Sequence, residues 1–112
     1  MKTKIFSLVC FLMIGSFTLF AQVKTEKIKV YGNCGMCQTR IEKAAKTVEG
    51  VSKAKWNSDN SMLTVTYDEA KAKIIDIHKA IAKVGHDTDL EKADATVYSK
   101  LPGCCQYDRP AK

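Results

Sequence analysis

Hydrophobic and polar positions alternate along this chain with two different periods, and the two periods predict its strands and helices. Short segments with a period of two, bounded by turn residues, are typical of strands. The predicted strands are 27–31, 51–57, 62–67 and a short edge strand at 86–90. Apolar residues recur at helical spacing from Cys37 to Val48 and again over about 70–84. Gly50 and Gly85 follow these two segments, as glycines at helix C-termini do.

The predicted element order is β-α-β-β-α-β. Its simplest compact arrangement is an α+β, ferredoxin-like sandwich, in which two helices cover one face of a four-stranded antiparallel sheet. The periodicity fades after about residue 90, so we expect residues 91–112 to form a tail that is laid over the domain or left mobile. The predicted organisation is therefore one domain at 22–90, with a modest core, followed by this tail.

The N-terminal segment 1–21 has the layout of a secretory signal peptide. Two lysines precede an almost wholly apolar run at 5–20, and Ala21 offers a small residue at the cleavage point. The alternative is a retained membrane anchor, but the apolar run is near the shortest length at which a helix can span a membrane. We expect the segment to be removed, so that the mature chain begins at Gln22, lies in the periplasm and does not insert into a membrane.

The charge of the chain is basic but not concentrated. The formal net charge is +6, and it falls to +4 without the two lysines of the signal segment. The basic residues are scattered and do not interleave with aromatic residues, which is typical of a solvated surface and argues against a nucleic-acid partner. We expect a monomer.

Cys34 and Cys37 form a Cys-x-x-Cys pair at the start of the first predicted helix. Backbone N–H groups and the helix dipole favour thiolate there, so the pair either holds a soft metal ion or exchanges disulfides. Two thiolates suit Cu(I) and Hg(II), whereas Zn(II) prefers four ligands. The alternatives are a thiol–disulfide oxidoreductase and an inert disulfide. The oxidoreductase interpretation lacks a proline-bearing loop opposite the pair, because both prolines, Pro102 and Pro110, lie in the tail.

A further pattern is carried by five segments of the chain. They read VYGNCGMC at 30–37, RIEKA at 40–44, VEGV at 48–51, TVTYD at 64–68 and IAKVGH at 81–86. Together they resemble the heavy-metal-associated domain family, which includes copper chaperones, modules of cation-pumping ATPases and exported mercuric-ion binding proteins. The resemblance covers about 26–90, and a single exported copy is most similar in layout to the last of these.

The resemblance implies a binding protein and not an enzyme. It implies that Cys34 and Cys37 capture a soft ion reversibly and then exchange it with the cysteines of a partner, a thiol-bearing membrane transporter or efflux component. Cu(I) is the first expectation for the ion, and Hg(II), Zn(II) and Cd(II) are the others.

Two positions depart from the family pattern. Gly32 stands where the family has a methionine that is buried beneath the loop, so Met36 or Tyr31 is expected to fill that space. His86 stands where the family commonly has Tyr or Phe, in a loop that approaches the metal site. The resemblance therefore makes His86 either a third ligand or a hydrogen-bond partner of a thiolate, and the alternative is a solvent-facing loop histidine.

Cys104 and Cys105 are adjacent cysteines in the tail, and their role is open. A bond between them closes a strained ring and is readily reduced, so they could instead pair with other thiols or simply oxidise. They could also fold back and add ligands to Cys34 and Cys37, which gives a three- or four-sulfur site suited to Zn(II), Cd(II) or a Cu(I) cluster. Pro102-Gly103 supplies the turn that presents both side chains.

Overall fold

The computed structural model describes residues 22–110, and the predicted signal peptide at 1–21 lies outside them. The strands are β1 (Val23–Lys29), β2 (Val51–Asn57) and β3 (Met62–Asp68). The helices are α1 (Gly35–Lys46), α2 (Ile74–Lys83) and α3 (Ala95–Ser99), and a 3-10 turn follows at Gly103–Cys105. The chain therefore has an α+β fold with the two main helices where the sequence pattern predicts them.

The sheet is antiparallel, and β3 is its central strand in the order β1-β3-β2. Leu63 of β3 lies opposite Ile28 of β1 and Trp56 of β2, and all three side chains are buried. Because successive side chains of a strand point to opposite faces, these residues define one covered face of the sheet. The helices contribute buried side chains to the same core: Ile41, Ala44, Ala45, Ile77 and Ile81.

Helix α2 begins at Ile74, later than the predicted start at 70, because a turn comes first. The backbone N–H groups of Lys71 and Ala72 both donate to the carbonyl of Asp68, each at a distance of 3.0 Å. The carboxylate of Asp68 also accepts from the N–H of Ala70 at 2.9 Å, a local bond that competes with helix formation. Gly85 ends α2 as predicted, with a left-handed φ of +108°.

The predicted fourth strand at 86–90 is not confirmed. Among the described residues, this segment makes one isolated bridge, between Val30 and Thr88. The chain turns directly afterwards, because the N–H of Thr88 donates to the carbonyl of Glu91 at 2.8 Å. The Thr88 hydroxyl also accepts from the N–H groups of Leu90 and Glu91. A hydroxyl that closes a local turn removes the backbone from the extended conformation, so pairing stops after one residue.

The tail packs against the domain. The Asp94 side chain caps α3 by accepting from the N–H of Thr96 at 2.8 Å. Leu101, Cys105 and Tyr107 are buried and belong to the same core cluster as the helices and the sheet. Of the two expected states of the tail, the structure has the one laid over the domain. No helix within residues 22–110 combines the length and the apolar character that crossing a membrane requires.

Candidate metal centre

Cys34 and Cys37 lie on either side of the first residues of α1. Cys34 is the N-cap residue with an extended backbone, and its carbonyl accepts from the N–H of Gln38 at 3.0 Å. Cys37 lies in the first helical turn and is fully buried. This geometry brings the two Sγ atoms to 3.6 Å, and the Cys34 side chain remains partly exposed.

The two thiols of this pair have opposite acidities. The pKa of Cys34 is lowered to about 6, chiefly because its sulfur accepts a hydrogen bond from the backbone N–H of Cys37. The pKa of Cys37 is raised to about 11, chiefly because the side chain is buried. At neutral pH the pair therefore offers one thiolate, Cys34, beside one protonated thiol.

The tail brings two more sulfur atoms to the same place. The Sγ of Cys105 lies 3.6 Å from that of Cys34, and the Sγ of Cys104 lies 3.9 Å from that of Cys105. The Sγ atoms of Cys34, Cys104 and Cys105 all lie within 4.8 Å of one another. All four cysteines within residues 22–110 are free thiols, and the Cys104 Sγ also contacts the Sδ of Met36 at 3.7 Å. The predicted candidate cysteines are thus brought together.

Arg40 contacts this sulfur cluster. Its Nη1 lies 3.2 Å from the Sγ of Cys105, and α1 places it one turn after Cys37. Burial raises the pKa of the Cys105 thiol, while contacts with Cys37 and Arg40 oppose that rise. Arg40 was not among the site residues predicted from the sequence. Its position three residues after Cys37 is a signal that could have found it, because residues at that spacing share a helix face.

The tail is fastened by a group of three side chains, Asp87, Tyr107 and Arg109, which we call the latch. Asp87 is fully buried, and its carboxylate accepts from the Nε and Nη2 of Arg109, both at 2.8 Å. The Tyr107 hydroxyl accepts from the N–H of Asp87 and donates to the carbonyl of Gly85, both at 2.8 Å. Burial alone would raise the pKa of Asp87, but the hydrogen bonds from Arg109 and Ala93 hold it below its ordinary value. The latch therefore joins the residues after Cys105 to the loop after α2.

His86 is buried and does not belong to the sulfur cluster of Cys34, Cys104 and Cys105. Its Nδ1 lies 2.8 Å from the carbonyl of Tyr31, and its ring stacks on that of Tyr107 with centroids 5.4 Å apart. Burial lowers its pKa, so the ring is neutral, and Nε2 has no hydrogen-bond partner among the described residues. The alternative that His86 faces solvent is therefore wrong, and neither ring nitrogen hydrogen-bonds to a thiolate of the described residues. Its role as a ligand stays a prediction.

Trp56 fills the space beneath the loop that leads to Cys34. A Cβ atom placed on Gly32 would lie 3.2 Å from the Trp56 ring and 3.2 Å from the Cβ of Cys37. The indole Nε1 donates to the carbonyl of Val30 at 2.9 Å, which fixes the ring in this position. Of the two residues expected to fill the space, Met36 has 54% of its surface exposed, and the Tyr31 ring stacks on that of Tyr107 with centroids 6.5 Å apart. A larger residue at Gly32 would press against the tryptophan and the Cys37 Cβ, so the close packing here favours glycine.

Comparison with known proteins identifies relatives of the metal-binding segment. The family model of the heavy-metal-associated domain matches residues 33–87. The copper chaperone CopZ of Staphylococcus aureus is 33% identical over 55 residues, which covers 49% of this chain and 81% of that protein.

Solved structures also match this chain in sequence and fold. Oxidized MerP from Ralstonia metallidurans CH34 is 32% identical with a TM-score of 0.57, and the match covers 60% of this chain and 94% of that one. The N-terminal domain of a potential copper-translocating P-type ATPase from Bacillus subtilis, in the Cu(I)-loaded state, is 30% identical with a TM-score of 0.56. That match covers 59% of this chain and 84% of the other.

The family match includes Cys34, Cys37 and His86 and ends before Cys104 and Cys105. The matched segment also places its Cys-x-x-Cys pair at the start of α1, where the two sulfurs converge. By its sequence match to the family and its shared fold, this chain belongs to the heavy-metal-associated domain family.

Proposed function

We propose that this protein is an exported carrier of a soft metal ion, Cu(I) or Hg(II), and not an enzyme. Cys34 and Cys37 are the primary ligands, and Cys104 and Cys105 supply additional sulfur. His86 is a further candidate ligand because its buried Nε2 is without a hydrogen-bond partner in residues 22–110.

The observation that carries this proposal is the convergence of sulfur on Cys34. Its Sγ lies 3.6 Å from the sulfurs of both Cys37 and Cys105, although Cys105 is 71 positions away in the sequence. Thiolates are the ligands that Cu(I) and other soft ions prefer. The thiolate that starts capture is Cys34, because its pKa of about 6 leaves it deprotonated at neutral pH.

The protein passes its ion to, or keeps it from, a membrane transporter or efflux component that presents its own thiols. Transfer needs an accessible ligand that an incoming thiolate can approach, and Cys34 is partly exposed beside the exposed Met36 and Cys104. The relatives named above include a copper chaperone and a domain of a potential copper-translocating P-type ATPase, which supports a partner of this kind. Scattered lysines favour an acidic docking face on that partner.

Export to the periplasm is part of the proposal and rests on the 1–21 segment. An oxidising compartment favours disulfides, so the carrier must be loaded with its ion or kept reduced there. Fractionation of cells that produce the chain tests this part, with N-terminal sequencing of the recovered protein expected to begin at Gln22.

The function is tested by anaerobic titration of the reduced protein with Cu(I), Hg(II) and Zn(II) against competing chelators. Serine at both Cys34 and Cys37 is expected to lower the affinity for Cu(I) by roughly three orders of magnitude, because both primary ligands are lost. The matched control replaces Cys104 and Cys105 by serine, which removes the same number of thiols, and should retain tight Cu(I) binding. Circular dichroism confirms that the variant at buried Cys37 remains folded.

Unchanged Cu(I) and Hg(II) affinity in the Cys34/Cys37 variant contradicts the proposal. The alternative, a periplasmic thiol–disulfide oxidoreductase, predicts reduction of insulin by the wild-type chain and loss of that reduction in the same variant. If the wild-type chain reduces insulin and binds no metal ion tightly, the oxidoreductase function is correct and the carrier function is wrong.

A further inference from the structure

The spacing of the four sulfurs fits a closed site better than an open two-sulfur site. Three of the Sγ–Sγ distances are 3.6, 3.6 and 3.9 Å. A tetrahedral Zn(II) ion with bonds of about 2.3 Å separates its sulfurs by about 3.8 Å, whereas a linear pair with the same bonds is about 4.6 Å apart. Each of these three contacts has the length of one edge of a tetrahedral four-sulfur site. Cys34, Cys104 and Cys105 lie within 4.8 Å of one another, and Cys37 joins them through its contact with Cys34.

We propose that the docked tail completes a four-sulfur site, formed by Cys34, Cys37, Cys104 and Cys105, for a divalent d10 ion such as Zn(II) or its spectroscopic substitute Cd(II). This inference rests on the proposed function, because it uses the same Cys34–Cys37 pair. When the tail undocks, the open two-sulfur site remains and serves transfer. The position of the tail thus decides which class of ion is held and whether it is retained.

Charge supports the divalent ion. Four thiolates carry four negative charges, of which a divalent ion neutralises two, and the Arg40 guanidinium at 3.2 Å from Cys105 neutralises a third. A monovalent ion in the same site leaves one more negative charge partly buried, which is unfavourable. The closed site therefore favours Zn(II) and Cd(II) over a single Cu(I).

The latch is the device that positions the tail sulfurs. Arg109 reaches across to the buried Asp87 and also donates to the carbonyl of Ala93 at 2.6 Å. Tyr107 adds the two hydrogen bonds of its hydroxyl, and its ring stacks on His86. None of the three latch residues makes a hydrogen bond to a cysteine sulfur of the described chain, and the backbone that connects them to Cys105 carries their effect on the site. They are positioning residues.

The family match does not account for this site. It covers residues 33–87, so Asp87 is its last residue, and Cys104, Cys105 and Arg109 all lie beyond it. The two tail sulfurs and one side of the latch are thus additions to the matched domain.

The experiment loads the reduced full chain with one equivalent of Cd(II) or Zn(II) under anaerobic conditions. Two readouts count the ligands: the ultraviolet charge-transfer absorbance from thiolate to Cd(II), and the cysteines protected from alkylation, mapped by mass spectrometry. We expect protection of all four cysteines, and about twice the absorbance per ion of a Cys104→Ser/Cys105→Ser variant. The Zn(II) affinity of that variant should fall by roughly a hundredfold or more, because two of four ligands are lost.

Latch variants separate positioning from ligation. Arg109→Gln, and the neutral pair Asp87→Asn/Arg109→Gln, should expose Cys104 and Cys105 to alkylation and lower Zn(II) affinity by about 10- to 100-fold. Lys100→Gln is the matched control, since it removes one positive charge from an exposed position of the same tail, and it should behave as wild type. Circular dichroism verifies the fold of each variant.

The inference is overturned if the wild-type chain protects only Cys34 and Cys37, or if both latch variants protect all four cysteines as wild type does. Cu(I) titration of the same samples keeps the two proposals distinct. Tight Cu(I) binding with only two protected cysteines would reject the four-sulfur site but would agree with the carrier function. Absence of tight Cu(I), Hg(II) and Zn(II) binding would reject both proposals.

Discussion

The loop that carries Cys34 and Cys37 and the tail that carries Cys104 and Cys105 bring sulfur to one point by different means. In the loop, the start of α1 alone brings two sulfurs to 3.6 Å. In the tail, the sulfurs lie about 70 residues after Cys34 in the sequence. The buried ion pair between Asp87 and Arg109 and the Tyr107 hydroxyl hold the tail so that these sulfurs lie next to Cys34. The first arrangement is local and lies within the family match. The second is long-range and lies almost entirely outside it.

This difference has a physical consequence for stability. The loop is backed by the fully packed Trp56 and belongs to the centre of the core. The tail adds Leu101, Cys105 and Tyr107 to the core, but within residues 22–110 it pairs with no strand and relies on the polar groups around Asp87 for its position. Segments outside the sheet and the main helices open at lower free energy than the core that they cover. The tail sulfurs are therefore the part of the cluster that can be withdrawn.

The largest expected effect is on the loop side. Trp56→Ala removes a side chain that is 1% exposed and leaves a cavity beneath Gly32, so we expect a loss of about 3–5 kcal/mol in the free energy of unfolding. Urea unfolding followed by circular dichroism measures it. Leu90→Ala, at a position that is 60% exposed, is the control and should change stability by less than about 0.5 kcal/mol. A loss near that of the control would show that the loop is not anchored by the core.

A smaller effect is expected on the tail side. Tyr107→Phe leaves the N–H of Asp87 and the carbonyl of Gly85 without their partner, which costs about 1–3 kcal/mol. The measurement is the rate of limited proteolysis within residues 91–110, together with urea unfolding. Tyr31→Phe is the matched control, because the Tyr31 hydroxyl makes no hydrogen bond with residues 22–110. Equal effects of the two substitutions would contradict the role given to the latch.

The smallest effect concerns acidity. The Cys34 pKa is lowered to about 6, so its alkylation rate should rise as pH increases through 6 and level off above about pH 7, where the thiolate is fully formed. The largest cause is the Cys37 backbone N–H, and hydrogen bonds with Cys104 and Cys105 lower the pKa further, so Cys104→Ser/Cys105→Ser should raise the midpoint but keep it below the ordinary value of 9.0. Peptide mapping separates Cys34 from Cys37, whose pKa is raised to about 11. A midpoint near 9 in the tail variant would assign the acidity of Cys34 to the tail.

Much of the fold follows from periodicity, since both main helices, β2 and β3 lie close to where the pattern predicts them. β1 begins at Val23, four residues before the predicted start at 27, and ends at Lys29, before the predicted end at 31. The fourth strand was beyond such reasoning because the Thr88 hydroxyl closes a turn that the apolar pattern does not record. The residue that fills the space beneath Gly32 was not predicted, for a similar reason. Trp56 and Gly32 are 24 positions apart, and only the pairing of the strands brings the ring beneath the glycine.

The sequence by itself determined the chemistry of this protein: a Cys-x-x-Cys pair at a helix start, inside an α+β domain of a metal-binding family. Helix geometry and hydrophobic periodicity are local, so they can be read from neighbouring residues. Only the tertiary structure decided that Cys104 and Cys105 join Cys34, that Arg40 faces them and that Asp87 holds Arg109. Those contacts join residues that are far apart in the sequence, and they form only when the tail packs against the folded domain. The tail has no hydrophobic periodicity, so no local pattern predicts where it packs.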